Sequence, residues 1–197
     1  MTKNKSNIIL TFDDGPHPVW TNTIIDLLDR YNVKALFFLV GKKIAQYPAL
    51  VNKLITRGHV IGNHTWSHKP LVMLNDKRLH AEIYSCHQYL LDKFNYQVHY
   101  FRPPWGLISA RQREVINSQF GYKIIFWNKD SYDYLWPYSR NLYDTITRAK
   151  KDPCILLFHD GIILSPLFTR KHMVATLKKL LPLKDSKIDF VLPMESE

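Results

Sequence analysis

The chain is poor in the residues that would set it apart from an ordinary globular protein. It has only two cysteines, Cys86 and Cys154, in 197 residues. That is too few for a disulfide scaffold or a four-thiolate metal site. Both fall at apolar positions and are read as packing residues. Seven glycines and eleven prolines exclude collagen-like and low-complexity chains. No apolar run approaches the roughly 18 residues that a transmembrane segment needs. Lysine and arginine never cluster in a block of five, although together they number 27 against 17 acidic residues, a net charge of +10. The charge is therefore read as solvated helix faces, and no specific nucleic-acid partner is expected. It would equally suit an anionic membrane surface or an acidic polymer. Residues Met1–Asn7 lead into a run of only five, Ile8–Phe12, before two aspartates. This is too short for a signal-peptide core, so a cytoplasmic location is expected; a chain trimmed of an export signal would read the same way.

What is present points to one domain spanning residues 1–197, expected to be monomeric. Apolar residues make up 46% and charged residues 22%, enough to bury a core without disulfides. Seven short apolar stretches read as strands: Ile8–Phe12, Ala35–Val40, His59–Asn63, Val98–Phe101, Tyr122–Trp127, Ile155–Phe158 and Phe190–Leu192. Near-continuous apolar strands suit a parallel sheet covered on both faces. Between them lie helical stripes: Ile24, Leu27, Leu28 and Tyr31; Leu79, Ile83, Cys86 and Leu90; Met173, Leu177, Leu180 and Leu181. Pro48 suits a first helical turn and Gly58 a helix stop. The alternation predicts an α/β fold. A full eight-fold barrel takes about 250 residues, so a small, distorted or incomplete (β/α) barrel with about seven parallel strands is expected.

The polar residues that stand out all follow predicted strands. They are Asp13-Asp14-Gly15-Pro16, Asn63-His64-Thr65-Trp66-Ser67-His68, Arg102-Pro103-Pro104-Trp105-Gly106, Asn128–Tyr134 and His159-Asp160. The carboxyl ends of parallel strands share one face, where active sites sit. Five distant segments therefore converge on one cleft. His64 and His68 are four apart, so on one helical turn they would share a face and grip one metal ion. The glutamate that accompanies such a pair in zinc proteases is replaced by Thr65, and a base must come from elsewhere; the aspartate pair can supply it. Two adjacent carboxylates repel unless a cation neutralises them. Asp14, His64 and His68 then offer one carboxylate and two imidazoles with open positions, a set that suits zinc first, or iron, cobalt or nickel. Asp-Asp-Gly-Pro also reads as an ordinary turn. His159 could be a structural histidine or a general acid, and Arg102 a surface arginine or a bidentate partner for a carboxylate.

In these segments the chain resembles the polysaccharide deacetylase domain of carbohydrate esterase family 4, the group of chitooligosaccharide and peptidoglycan deacetylases. The likeness runs from Ile8 to about Leu192. Five motifs occur in order: Thr11-Phe12-Asp13-Asp14-Gly15-Pro16, His64-Thr65-Trp66-Ser67-His68, Arg102-Pro103-Pro104-Trp105-Gly106, Asp130-Ser131-Tyr132-Asp133-Tyr134 and Leu157-Phe158-His159-Asp160. Phe37-Phe38 before Gly41, and Gly58-His59, look similar too. The resemblance implies a distorted parallel barrel and metal-dependent hydrolysis of N-acetyl or O-acetyl groups on the sugars of an oligosaccharide or polysaccharide. By position it makes Asp14, His64 and His68 the ligands of one divalent ion and Asp13 the general base oriented by Arg102. His159 becomes the general acid oriented by Asp133, and Leu157 and Trp105 wall the acetyl pocket. Where the family usually has tryptophan after the last aspartate of the fourth motif, this chain has Tyr134, which bears on the pocket's shape. Two other readings stand beside this one. A deformylase or deacetylase of a lipid-linked sugar would suit the positive charge. A non-catalytic glycan-binding module could use Trp66, Trp105, Tyr132, Tyr134, Trp136 and Tyr138 as stacking surfaces, although those aromatics also suit rim and core packing.

Overall fold

A computed structural model describes residues 5–134, 153–161 and 170–193. Among these residues, eight parallel strands form one sheet: β1 (Ser6–Gly15), β2 (Leu36–Leu39), β3 (Val60–Asn63), β4 (Tyr100–Phe101), β5 (Lys123–Ile124), β6 (Lys129–Asp130), β7 (Cys154–His159) and β8 (Ile188–Phe190). The lateral order is β5-β4-β3-β2-β1-β7-β6. Ile8 pairs with both Cys154 of β7 and Phe190 of β8. β8 therefore lies beside the start of β1, on the edge opposite β7.

The expected incomplete parallel barrel is what forms, with eight strands in place of seven. The added strand, β6, lies in the stretch read as a loop. Lys129-Asp130 carries no apolar signature, and its pairing with Leu156 and Leu157 of β7 is what makes it a strand. Elsewhere the bounds shift. β1 runs on through both aspartates, and the apolar stretches 98–101 and 122–127 pair over only two residues each. β5 and β6 end the sheet on opposite edges yet follow one another in the chain. Four residues lie between Ile124 and Lys129, and the five steps from one to the other reach about 17 Å at full stretch, so the sheet must curl until its edges approach.

The alternation of side chains across the strands builds two cores. Ile8, Leu10 and Phe12 of β1, Phe37 and Leu39 of β2, and Leu156 and Phe158 of β7 face outward into one large core with the helices. Phe12 stacks between Phe37 and Phe158 there, with ring centres 4.9 and 5.7 Å away. Leu36, Phe38, Tyr100 and Ile125 form a second, small core inside the barrel. Gly62 faces this interior: a Cβ there would lie 2.4 Å from the Phe38 ring, so only glycine fits.

Among the described residues, six helices cover the outside: α1 (Trp20–Arg30), α2 (Gly41–Gln46), α3 (Pro48–Thr56), α4 (Asp76–Phe94), α5 (Ala110–Phe120) and α6 (Lys171–Leu180). The predicted stripes bury as expected, including Leu79, Ile83, Cys86 and Leu90 of α4. Pro48 opens α3, and both cysteines are free and buried. No helix among the described residues is long and apolar enough to cross a membrane.

Candidate active site

The strands are parallel, so their carboxyl ends meet at one mouth. β1 arrives first. Its register with β2 pairs Asp13 with Phe38 and Gly15 with Leu39, leaving Asp14 as the extra residue of a bulge, at φ 72°. A regular strand would send Asp13 and Asp14 to opposite faces; the bulge lets both carboxylates reach the mouth. The bulge is held from three sides. Lys43 of α2 donates to the Asp14 carbonyl at 2.7 Å. The Asp160 and Gly161 amides both donate to the Asp13 carbonyl. A Cβ on residue 161 would collide with the Asp14 carbonyl at 1.8 Å, so the backbones touch directly there.

β3 delivers the histidines. The segment from His64 to His68 is not the helical turn that the four-residue spacing predicts. Thr65 and His68 both have left-handed backbone, φ 67° and 57°, and side-chain hydrogen bonds hold the segment. Asn63 Oδ1 accepts from the Thr65 amide at 2.8 Å. Thr65 Oγ1 accepts from the His68 amide at 3.0 Å. Glu82 of α4 takes the middle: its carboxylate accepts from the Ser67 amide at 2.8 Å and the Ser67 hydroxyl at 2.6 Å, and its carbonyl accepts from the Trp66 amide. The four-residue spacing converges the rings by a different route from the one expected.

The outcome is a cluster of three ligand atoms, from Asp14, His64 and His68, all within 4.8 Å of one another. His64 Nε2 lies 3.4 Å and His68 Nε2 3.1 Å from Asp14 Oδ1. His64 Nδ1 donates to the Arg102 carbonyl at 2.7 Å, which leaves the Nε2 lone pair facing Asp14. A metal-binding histidine is held in this way, its far ring nitrogen donating to a carbonyl, and the donor set fits a divalent transition metal. Burial alone would raise the Asp14 carboxyl, but the His64 and His68 rings beside it and the nearby His159 charge bring it well below the usual range.

Asp13 stands beside this cluster, its Oδ2 3.9 Å from His64 Nε2. Its Oδ1 accepts from Arg102 Nη1 at 2.7 Å. Arg102 is fully buried, not on the surface, and it crosses the barrel interior. Nη1 also reaches Thr11 Oγ1 at 2.8 Å, Nε donates to the Ile125 carbonyl at 3.0 Å, and the guanidinium lies 4.2 Å from the centre of the Phe38 ring. The pairing is through one nitrogen, not bidentate.

β7 pairs with β1 so that Asp13 sits opposite His159 and Thr11 opposite Leu157. Register partners on parallel strands share a face, so His159 and Leu157 line the same interior as Asp13. Asp133 grips His159 twice: Oδ1 accepts from the ring Nδ1 at 2.8 Å and Oδ2 from the His159 amide at 2.9 Å. Burial would lower the His159 pKa, yet the Asp133 charge and hydrogen bond raise it to about 9.

Two aromatic segments frame the mouth. Trp105, at φ 55°, sets its ring against His68 with centroids 4.4 Å apart. Tyr134 meets the His159 ring edge-on at 5.3 Å, and its hydroxyl donates to Asp130 Oδ2 at 3.2 Å. All ten predicted site residues therefore belong to one neighbourhood. Trp66 instead packs on Tyr89 and the outer core, and Trp136 and Tyr138 lie outside the described residues. The sequence reading missed Glu82 and Lys43. Glu82 lies three residues after Leu79 and four before Cys86, so a carboxylate on an apolar helix face was its visible signal. Asp160 was seen but given no part. Its carboxyl is buried, accepts from the Thr21 hydroxyl, and is pushed up to about 7 by burial.

Residues 1–125 match the sequence profile described as polysaccharide deacetylase. Over 195 residues the chain is 32% identical to a peptidoglycan-N-acetylglucosamine deacetylase of Bacillus cereus, covering 98% of this chain and 88% of that protein. A chitooligosaccharide deacetylase of Azorhizobium caulinodans is 32% identical over 164 residues, 82% of this chain and 77% of that protein. A crystal structure of a peptidoglycan N-acetylglucosamine deacetylase superposes with a TM-score of 0.83 at 32% identity, covering 96% of this chain and 86% of that one. Other curated relatives are longer, and the chain spans only 33–47% of their length. The profile match takes in the strands that carry Asp13, Asp14, His64, His68 and Arg102, and with the Bacillus cereus relative matched along nearly its full length, the chain belongs to the polysaccharide deacetylase family.

Proposed function

We propose that this chain is a metal-dependent hydrolase that removes acetyl groups, N-linked and in some substrates O-linked, from the sugars of an oligosaccharide or polysaccharide. Residues 1–197 act as one catalytic domain. The observation that carries the reading is the meeting of a three-ligand cluster, an arginine-held aspartate and an aspartate-held histidine at the ends of β1, β3, β4 and β7.

Asp14, His64 and His68 would hold the ion, zinc first, with cobalt, nickel or iron as alternatives. When bound, the ion supplies Lewis acidity for attack of water on the acetyl carbonyl. The remaining work falls to the chain's own groups. Arg102 fixes Oδ1 of Asp13, leaving Oδ2 to accept the proton of the attacking water. The backbone N–H of Trp105, in the Pro104–Gly106 turn, stabilises the developing oxyanion. His159, held protonated by Asp133 through Nδ1, delivers the Nε2 proton to the leaving amine. Leu157 and Trp105 wall the acetyl pocket together with Tyr134. The phenol is smaller than the indole usual in the family and is tied to Asp130, so the pocket is roomier on that side.

The relatives' named substrates, peptidoglycan and chitooligosaccharides, support a hexosamine glycan. The net positive charge supports an anionic polymer or surface. A cytoplasmic location fits a soluble oligosaccharide, whereas a wall polymer requires the active chain to be exported. The test is acetate release from chitin oligomers, peptidoglycan, a capsule polymer and acetylated xylan. Chelation should abolish release and added zinc restore it; release that survives exhaustive chelation, or none from any of the four with zinc present, overturns the proposal.

A further inference from the structure

Tyr132 is the half-exposed neighbour of Asp133, and its backbone is the unusual feature. It sits at φ 51°, in the left-handed region, with 50% of its surface open. Non-glycine residues are uncommon in that region, and an aromatic side chain there is out of place. If the chain needed only the kink that aims Asp133 at His159, glycine would supply it with less strain. The ring itself packs into neither core. Its contact is with Tyr134, 6.2 Å between centroids, and Tyr134 in turn stands edge-on to His159 at 5.3 Å. One carboxylate arranges both tyrosines: Asp130 Oδ1 accepts from the Tyr132 amide at 2.8 Å and Oδ2 from the Tyr134 hydroxyl at 3.2 Å. Asp130 is itself fixed by β6, opposite Leu157.

A strained, exposed aromatic next to catalytic groups, pre-set by a partly buried carboxylate, marks a ligand surface. We infer that Tyr132 is a sugar-stacking subsite, its ring covering the C–H face of the hexosamine next to the one that loses its acetyl group. The inference rests on the proposed function and adds to it: the preferred substrate has at least two linked rings, and the second extends over the β6 side of the mouth, away from Trp105. The apolar C–H face of a pyranose matches a phenol ring, while the hydroxyl of Tyr132 is not required.

The test is a chitooligosaccharide ladder from dimer to hexamer, read in two ways with zinc-loaded protein: steady-state KM from acetate release, and direct binding by calorimetry in the Asp13→Asn background. Tyr132→Gly should raise KM and the dissociation constant about tenfold, while its urea midpoint stays level or rises because glycine suits the backbone. Tyr132→Phe should keep wild-type KM. Wild-type KM and affinity in Tyr132→Gly at every length overturn the subsite. So does a tenfold loss accompanied by a lower urea midpoint and not restored in Tyr132→Phe, which makes the residue structural. Wild-type protein that binds the ladder but releases no acetate overturns the hydrolase reading instead, and the binding arm still decides on Tyr132.

Discussion

His159 is a partly buried imidazole with a raised pKa, because the Asp133 carboxylate outweighs the cost of desolvating its charge. Its proton is held below about 9 and lost as pH rises through that value. A general acid must carry its proton, so deacetylation should fall on the alkaline side. A bound dication opposes the shift, so the limb in the loaded enzyme lies at or below about 9. Asp133→Asn should move that limb towards the ordinary histidine value of about 6.5, which a pH–rate profile reads directly. His159→Ala should cost on the order of 10²–10⁴ in kcat; a smaller loss makes it a structural residue. Asp13→Asn should bind zinc with near-normal affinity yet lose turnover, and a variant that keeps its kcat would remove Asp13 from the base role. At this scale the sequence was informative, since chemistry attaches to residue type. It could not say that Arg102 pairs with Asp13 through Nη1, which it shares with Thr11, and spends Nε and Nη2 on the Ile125 and Phe126 carbonyls.

At the scale of elements, the histidine pair shows where spacing misleads. Four residues apart reads as a helix, yet the backbone turns left-handed twice and is pinned by α4. Glu82 is the residue that makes this work. Glu82→Ala should leave the far-UV circular dichroism unchanged and weaken zinc binding about 10–100-fold, the usual cost of losing an outer-shell partner. Unchanged zinc affinity by calorimetry would show that the turn holds itself. A third buried histidine stands just before β3. His59 is 3% exposed, accepts from the Ala35 amide, and its Nε2 has no partner among the described residues. Burial pushes its pKa down to about 4 from 6.5. Between those values the unfolded chain binds a proton that the folded chain refuses, so stability falls as pH drops from about 6.5 to about 4. His59→Gln keeps an acceptor and cannot titrate, and should remove on the order of 3 kcal/mol of that acid sensitivity. Urea midpoints at pH 7.5 and 4.5 provide the check.

At the scale of the whole molecule, Arg102 ties the curled sheet together. It leaves β4, reaches Thr11 and Asp13 of β1, and bonds the carbonyl that follows β5. A guanidinium with no exposed surface is tolerable because carbonyl, hydroxyl and carboxylate acceptors meet it and Phe38 lies under its plane. Arg102→Met would keep much of the volume but strand Asp13 as a buried, unpaired carboxylate, at a cost of about 3–5 kcal/mol. A urea midpoint close to wild type would mean that the arginine serves chemistry alone. The same residue explains why the barrel needs no full ring of strands: its hydrogen bonds link strands that the sheet's own ladder does not join.

The amino-acid sequence alone determined the alternation of strand and helix, the helix faces that bury, the incomplete barrel and the charged and imidazole groups at the strand ends. These follow from periodicity, from length, and from polar groups standing where apolar strands stop, all of which are local properties of the chain. Tertiary structure decided the rest. The bulge at Asp14 exists only against the register of β2, β6 is a strand only because β7 offers it partners, and the clamp of Glu82 on Ser67 joins residues 15 apart through a folded helix. Each depends on a hydrogen-bonding partner supplied by a distant segment, and a pairing of that kind has no signature in the residues beside it.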